Sequence, residues 1–208
     1  SSVVVSDAGG LIGTAGIAAS SWTTISYASM TVNAVGASGI LLAGSTMPSV
    51  SYSFVHNAAG LGVYARNGAN NNTLSRSTFT SNAGGFAAGW ALDTGSSYNT
   101  ILDVYAANPL GASADIVNGA NYNTVSQSTM ISSGAGAISG AFVFSASSQN
   151  VFTGNYVVNT NGIGLTMTSG SAGNTVSFST IVADALNTSA LRLDASNGNT
   201  VMNSRMTS

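Results

Sequence analysis

An all-β solenoid is the fold class this sequence predicts, on three observations: a short apolar alternation returns about every 25 residues, Gly-, Asn- and Ser-rich stretches separate its copies, and no amphipathic run reaches helical length. Each repeat of such a chain buries its apolar edge only by stacking on its neighbours. The repeat runs through all 208 residues without a shift in composition, so one domain, 1–208, is expected.

The first strand of each unit is read from Thr24-Ile25-Ser26, Ser49-Val50-Ser51, Thr73-Leu74-Ser75, Thr124-Val125-Ser126 and Thr175-Val176-Ser177, with looser copies at Asn99-Thr100-Ile101-Leu102, Asn150-Val151-Phe152-Thr153 and Asn199-Thr200-Val201-Met202. The last apolar residue of each unit serves as a marker: Val5, Met30, Phe54, Phe79, Tyr105, Met130, Tyr156, Ile181 and Met206. Their near-constant spacing predicts about eight coils, each returning about 4.8 Å further along one axis. Three residues past most markers stands a short polar residue, Asn33, Asn57, Asn82, Asn108, Ser133, Asn159 or Asp184, expected to form a stacked ladder in a sharp bend. A second strand follows a small-residue corner. Period-two alternation turns its Ile40, Leu42, Trp90, Leu92, Phe142, Phe144, Leu165, Met167, Leu191 and Leu193 toward the core.

Composition excludes several function classes. Only 5% of residues are charged, four Arg against six Asp, and the net charge is −2. Nucleic acid and anionic lipid both need clustered Lys or Arg, so neither is an expected partner. At 44% hydrophobic residues the chain carries enough apolar surface to fold. Cysteine is absent, which leaves no disulfide and no thiolate metal site. No apolar run approaches the roughly 20 residues of a membrane helix, and no metal or cofactor is expected. Asn71-Asn72-Thr73 and Asn187-Thr188-Ser189 match the glycosylation pattern, as chance alone produces in so Asn/Thr-rich a chain.

The recurring unit, a small corner, Gly-Φ-x-Φ, a polar turn, Asn-Thr-Val, then a small polar and an apolar residue, resembles the repeat of the right-handed parallel β-helix of the pectin-lyase-like superfamily. The resemblance covers nearly the whole chain. It implies a single right-handed parallel β-helix and little about activity, because that scaffold serves polysaccharide lyases and hydrolases, tailspikes, adhesins and surface proteins. Phe54-Val55-His56-Asn57-Ala58-Ala59-Gly60 and Phe79-Thr80-Ser81-Asn82-Ala83-Gly84-Gly85 also resemble the Phe-x-x-Asn repeats of bacterial autotransported surface proteins. A secreted or surface-displayed, non-catalytic structural and interaction module is the function expected first. A carbohydrate-binding or polysaccharide-degrading protein and an ice-binding solenoid are the alternatives.

Polysaccharide-cleaving members of that superfamily cluster acids with basic groups along one sheet, whereas the acids here are scattered, with Asp93 and Asp115 in different columns. Registering the coils places Arg66 beside Asp93 and Arg76 beside Asp103, two pairs expected to stack as surface ion pairs worth about 0 to 1 kcal/mol each. His56, the sole histidine, is expected at the surface or ladder edge, without metal-ligand companions. Gly60-Leu61-Gly62 and Gly134-Ala135-Gly136 read as corner glycines, since neither helix nor Lys follows them. Trp90 reads as core, and Tyr98 and Tyr122 as exposed turn residues. One array stands out: Thr24 and Ser26, Ser49 and Ser51, Thr73 and Ser75, Thr124 and Ser126, and Thr175 and Ser177 flank the inward residue of each first strand. Two columns of hydroxyls are therefore expected on a flat uncharged face fitted to glycans or ice, interrupted at Leu102, Val151 and Met202.

The ends carry the last expectation. Ser1 to Gly10 and Ser204 to Ser208 contain one charge each, Asp7 and Arg205, and no capping element is evident. Self-stacking, with Val3 and Val5 of one copy continuing the coil of Val201 and Met206 of another, is expected unless neighbouring segments of a longer chain cover these edges.

Overall fold

The structure, a computed structural model, describes residues 2–6, 15–18, 22–33 and 35–208, with side chains from residue 22 onward apart from 136–140. It is a parallel β-solenoid with no helix among these residues. A 15-stranded sheet carries two strand segments per coil, and an 8-stranded sheet carries the third. The latter runs in the order Ala15–Ala18, Ser38–Ala43, Leu61–Arg66, Trp90–Leu92, Ala114–Val117, Gly136–Ser145, Gly162–Thr168, Leu191–Leu193, all parallel, in agreement with about eight coils.

Left-handed residues at three places in each coil make the corners. One column is Trp22, Met47, Asn71, Tyr98, Tyr122, Gln149, Gly173 and Gly198; the next is Tyr27, Tyr52, Arg76, Asp103, Gln127, Gly154, Phe178 and Asn203. The third includes Gly44, Asn67, Thr94, Asn118, Ala146, Ser169 and Ala195. A bulky residue pays a conformational penalty there, of order 1 kcal/mol or more. Stacking fixes the corner regardless, and an αL side chain in such a corner points away from the core.

The core is three inward columns. The first sheet supplies Val50, Leu74, Ile101, Val125, Phe152 and Val176 in register, and Met30, Val55, Phe79, Ala106, Met130, Val157 and Ile181 likewise. This second column corrects four markers. Val4, Val55, Ala106 and Val157, and not Val5, Phe54, Tyr105 and Tyr156, align with Met30, Phe79, Met130 and Ile181. Phe54, Tyr105 and Tyr156 are exposed, because each stands one residue before the inward position and alternation turns it outward.

The second sheet buries the expected set from Ile40 to Met167, while Leu191 is half-buried and Leu193 exposed on the last coil. Trp90 and Phe142 flank Ala114 in register, and their rings close to 5.7 Å over its small side chain. Phe142 also stacks on Phe152 at 4.9 Å. Size alternation between coils, invisible in one repeat, thus fills the interior.

The ladders differ from the expected one. Asn72, Asn99, Asn123, Asn150, Asn174 and Asn199 form a continuous amide stack, each Nδ2 donating to the next Oδ1 at 2.8–3.1 Å. The same Oδ1 accepts the backbone N–H of the preceding Asn, as in Asn99 N to Asn123 Oδ1 at 2.8 Å. At the expected ladder, Asn57, Ser81, Asn108, Ser132 and Asn159 are the buried residues, and they bond backbone carbonyls across the corner instead of one another. Asn33, Asn82 and Asp184 are exposed, one residue too late. A further column, Ser53, Ser77, Ser128, Asn155, Ser179 and Ser204, accepts the backbone N–H of the coil before it, again between coils. Gly62 also departs from expectation. It lies within the strand Leu61–Arg66 and not at a corner, because a Cβ there would meet the Gly89 carbonyl oxygen.

Candidate functional site

The two hydroxyl columns form as registered. Thr24, Ser49, Thr73, Thr100, Thr124, Val151, Thr175 and Thr200 align, as do Ser26, Ser51, Ser75, Leu102, Ser126, Thr153, Ser177 and Met202. The hydroxyl of Ser177 is nearly buried and donates to Thr153 Oγ1 at 3.0 Å. This face is bordered by the two αL columns, which carry exposed rings: Tyr98 and Tyr122 stack at 5.1 Å on one border, Tyr27 and Tyr52 at 5.1 Å on the other.

Beyond the second border the first sheet bends, and the bend opens a groove of about 740 Å³. Tyr27, Tyr52, Arg76, Asp103 and Gln127, five consecutive αL residues, form one wall. The outward column Phe54, Thr78, Tyr105 and Thr129 forms the other, and Ser53, Ser77 and Val104 floor it. Arg76 lies over the Tyr52 ring, its Cζ 5.5 Å from the centroid, and its Nη1 donates to the Tyr52 hydroxyl at 2.6 Å. The expected Arg76–Asp103 ion pair is absent. The guanidinium turns back to the previous coil, where a flat aromatic face and a phenolic oxygen hold it together. Groove and stack were not legible as a site because Tyr27, Tyr52, Arg76 and Asp103 share no residue type. Their shared offset of one residue past each Ile/Val/Leu-Ser/Leu pair was the available signal.

The outer side of the second sheet holds a cleft of about 680 Å³. Alternation along this sheet turns Tyr64, Ala91, Asp115 and Val143 outward in one register column. Asp93, two residues past Ala91, stands outward in the adjoining column, diagonal to Asp115. The scattered acids are thus brought together by the offset between coils. The Tyr64 hydroxyl donates to Asp93 Oδ2 at 2.5 Å, while Asn118 Nδ2, at 2.8 Å, and the backbone N–H and hydroxyl of Thr94 donate to Oδ1. Burial acts to raise the Asp93 pKa, but these donors outweigh it and hold the carboxyl below its ordinary value. Burial, and then the Asp93 charge, push the Tyr64 phenol up to about 12. Asp115 is different. It is 8% exposed, accepts no hydrogen bond from the described residues, and is pushed up to about 7 by burial and by the Asp93 charge.

Arg66 forms no ion pair with Asp93, the second such expectation the structure corrects. Its guanidinium lies over the Tyr64 ring at 5.4 Å, and Asp93 already has its donors. Arg192 and Asp194 do pair, at 2.9 Å, two residues apart on the surface. His56 is half-buried, with Nδ1 2.8 Å from the Thr80 hydroxyl. Among the described residues no three His, Cys, Asp or Glu converge as a metal site. Val201 and Met206 are exposed on the last coil, whereas the side chains of Val3 and Val5, together with Asp7, lie outside the described residues.

A family model described as "Right handed beta helix region" matches residues 13–206. Among solved structures, the Azotobacter vinelandii mannuronan C-5 epimerase AlgE6 A-module is similar at 13% identity and a TM-score of 0.49, over 88% of this chain and 64% of that one. The chain therefore spans just under two thirds of that module. No curated protein matches it. The family model covers nearly the whole chain, and the described strands pair in parallel from coil to coil, with one register shift between Gly136 and Gly140: the chain belongs to the right-handed β-helix family.

Proposed function

We propose that this β-helix binds an extended, uncharged or weakly charged glycan along the groove at the bend of the first sheet. The observation that carries the reading is the set of exposed rings on both walls, Tyr27 and Tyr52 stacked in adjacent coils on one, and Phe54 and Tyr105 on the other with Thr78 between them. A pyranose has an apolar C–H face and a polar rim. Phe54, Tyr105 and the outward edges of the Tyr27–Tyr52 stack take the first, and Asp103, Gln127, Thr78 and Thr129 offer hydrogen bonds to the second. Coils repeat about every 4.8 Å, close to the length of one sugar unit, so successive units meet successive coils in similar surroundings. A secreted or surface location belongs to this reading, since that is where such polymers are met.

Binding to a panel of pectins, alginates, glycosaminoglycans and neutral glucans, followed by titration of the best ligand, tests it. Tyr52→Ala and Tyr105→Ala should each lower affinity about tenfold or more, a loss of roughly 1.4 kcal/mol, while Tyr122→Ala outside the groove leaves it unchanged. Failure of every polymer to bind, or equal losses at Tyr122, overturns the assignment. Release of unsaturated or reducing sugars during incubation would make the protein an enzyme and not a binder.

Self-association is a second, separate reading: Leu193, Val201, Met202 and Met206 form an apolar edge on the last coil that either another copy or a neighbouring segment of a longer chain covers. Strand edges with apolar side chains are templates for another strand. Sedimentation at increasing concentration checks it: a monomer throughout rejects end-on stacking.

A further inference from the structure

The cleft on the second sheet is separate from the groove, and its chemistry is of another kind. One end is polar, with Asp93 and Asp115; the walls are apolar, formed by Leu61, Phe86, Leu110 and Val143. Phe86 projects into solvent almost without cover and Leu110 is more than half exposed, although nothing in the packing of a solenoid requires it. Asp93 accepts three hydrogen bonds at Oδ1 and one at Oδ2, which leaves Oδ2 able to accept another. Asp115 lines the same cleft, more than nine-tenths buried, with no hydrogen-bond donor among the described residues. A buried carboxyl without a partner is costly, whether the missing group is a proton or a cation.

The charged and titratable groups around Asp115 are few. On one side Asp93 follows the adjacent strand Trp90–Leu92, and Tyr64 and Arg66 come from Leu61–Arg66, one strand further; the Arg66 guanidinium is engaged on the Tyr64 ring. The strand on the other side presents Val143 and Ser145, neither of which titrates. No cation therefore serves Asp115 from within the fold, and two carboxylates are too few for a protein-built metal site.

We infer that this cleft binds an organic ammonium ion, its N–H groups donating to Asp115 and Asp93 and its apolar substituent lying against Leu61, Phe86, Leu110 and Val143. The ammonium supplies the donors that Asp115 lacks and relieves its repulsion with Asp93. Because burial and the Asp93 charge push Asp115 up to about 7, the carboxyl is largely protonated in slightly acidic solution, and the cation displaces that proton. Affinity then rises with pH up to about 7 and levels off above it.

Calorimetric titration of the full chain with 2-phenylethylamine, with 2-phenylethanol as the uncharged counterpart and with calcium chloride alone, reads this directly. The amine should bind up to about tenfold more tightly for each pH unit between 5 and 7, with proton release seen as a buffer-dependent heat. Asp115→Asn should weaken it at least tenfold at pH 8. Val143→Trp, which fills the cleft and spares both carboxylates, should also abolish binding and serves if the first variant does not fold. The inference is overturned if the alcohol binds as tightly as the amine, if affinity falls as pH rises, if calcium binds and the amine does not, or if neither variant weakens the amine.

Discussion

Tyr64 donates its phenolic proton to Asp93 across a coil boundary, at 2.5 Å, and this bond and not an Arg66 ion pair anchors the ionised carboxylate. Tyr64→Phe should lower stability by about 1 kcal/mol, the charge-assisted bond being discounted for its partial exposure. The sign with pH follows from Asp93, whose folded pKa lies below its ordinary value. Its contribution is present above the ordinary carboxylate range and is lost as pH falls through the folded pKa. Chemical denaturation at pH 7 and at progressively lower pH should therefore show the gap between wild type and variant narrowing as the medium becomes more acidic.

Asp115 has the opposite sign. Its folded pKa is raised to about 7, so the stability it contributes is present below the unfolded value and is lost as pH rises through the folded one. Asp115→Asn should match wild type near pH 4 and exceed it at pH 8, by about 2–4 kcal/mol as an order of magnitude. Denaturation midpoints over that range measure it, and a constant difference between the two proteins would contradict the burial of an unpaired carboxyl.

The amide ladder concentrates stability at positions that look like ordinary surface Asn. Asn123→Ala removes the acceptor of two Asn99 donors and the donor to Ser96 O. All are buried, and the expected loss is roughly 2–4 kcal/mol. Asn82→Ala, at an exposed position, should change stability by less than about 0.5 kcal/mol. Guanidinium unfolding of the two variants side by side distinguishes the ladder from generic loss of an amide.

Gly39, Gly62 and Gly89 stack in adjacent coils beneath the corner of the second sheet, where a Cβ on Gly89 would meet the Phe79 and Ser113 carbonyl oxygens. Gly89→Ala should cost about 1–3 kcal/mol by overpacking against backbone. Gly95→Ala meets nothing within 4 Å but carries φ +73°, so it should cost about 1 kcal/mol through backbone strain alone. Thermal denaturation ranks them, and the reverse order would disprove the close approach.

Much of the architecture is local information. Ile40 and Leu42, Trp90 and Leu92, or Phe142 and Phe144 declare an inward face by alternation alone, and Thr-Val-Ser recurring at one spacing declares that the faces stack. The same rule fails where a large aromatic neighbours a smaller aliphatic. Phe54, Tyr105 and Tyr156 looked like the core residues of their coils, but Val55, Ala106 and Val157 occupy it, since the turn before them and not hydrophobicity sets the phase.

The site is another matter, for physical reasons. Asp93 and Asp115, or Tyr52 and Arg76, meet only across coils, and which side chain reaches which depends on the register between strands 24 to 27 residues apart and on αL corners that no residue type in the sequence betrays. Hydrophobic alternation and repeat length, being properties of one strand and of the spacing between strands, determined by themselves that this chain is a parallel β-solenoid with hydroxyls on one face. Tertiary structure alone decided which Asn residues share protons along the axis, where the arginines turn, and that one carboxyl is left buried without a partner, because each of these outcomes is a competition among groups contributed by neighbouring coils.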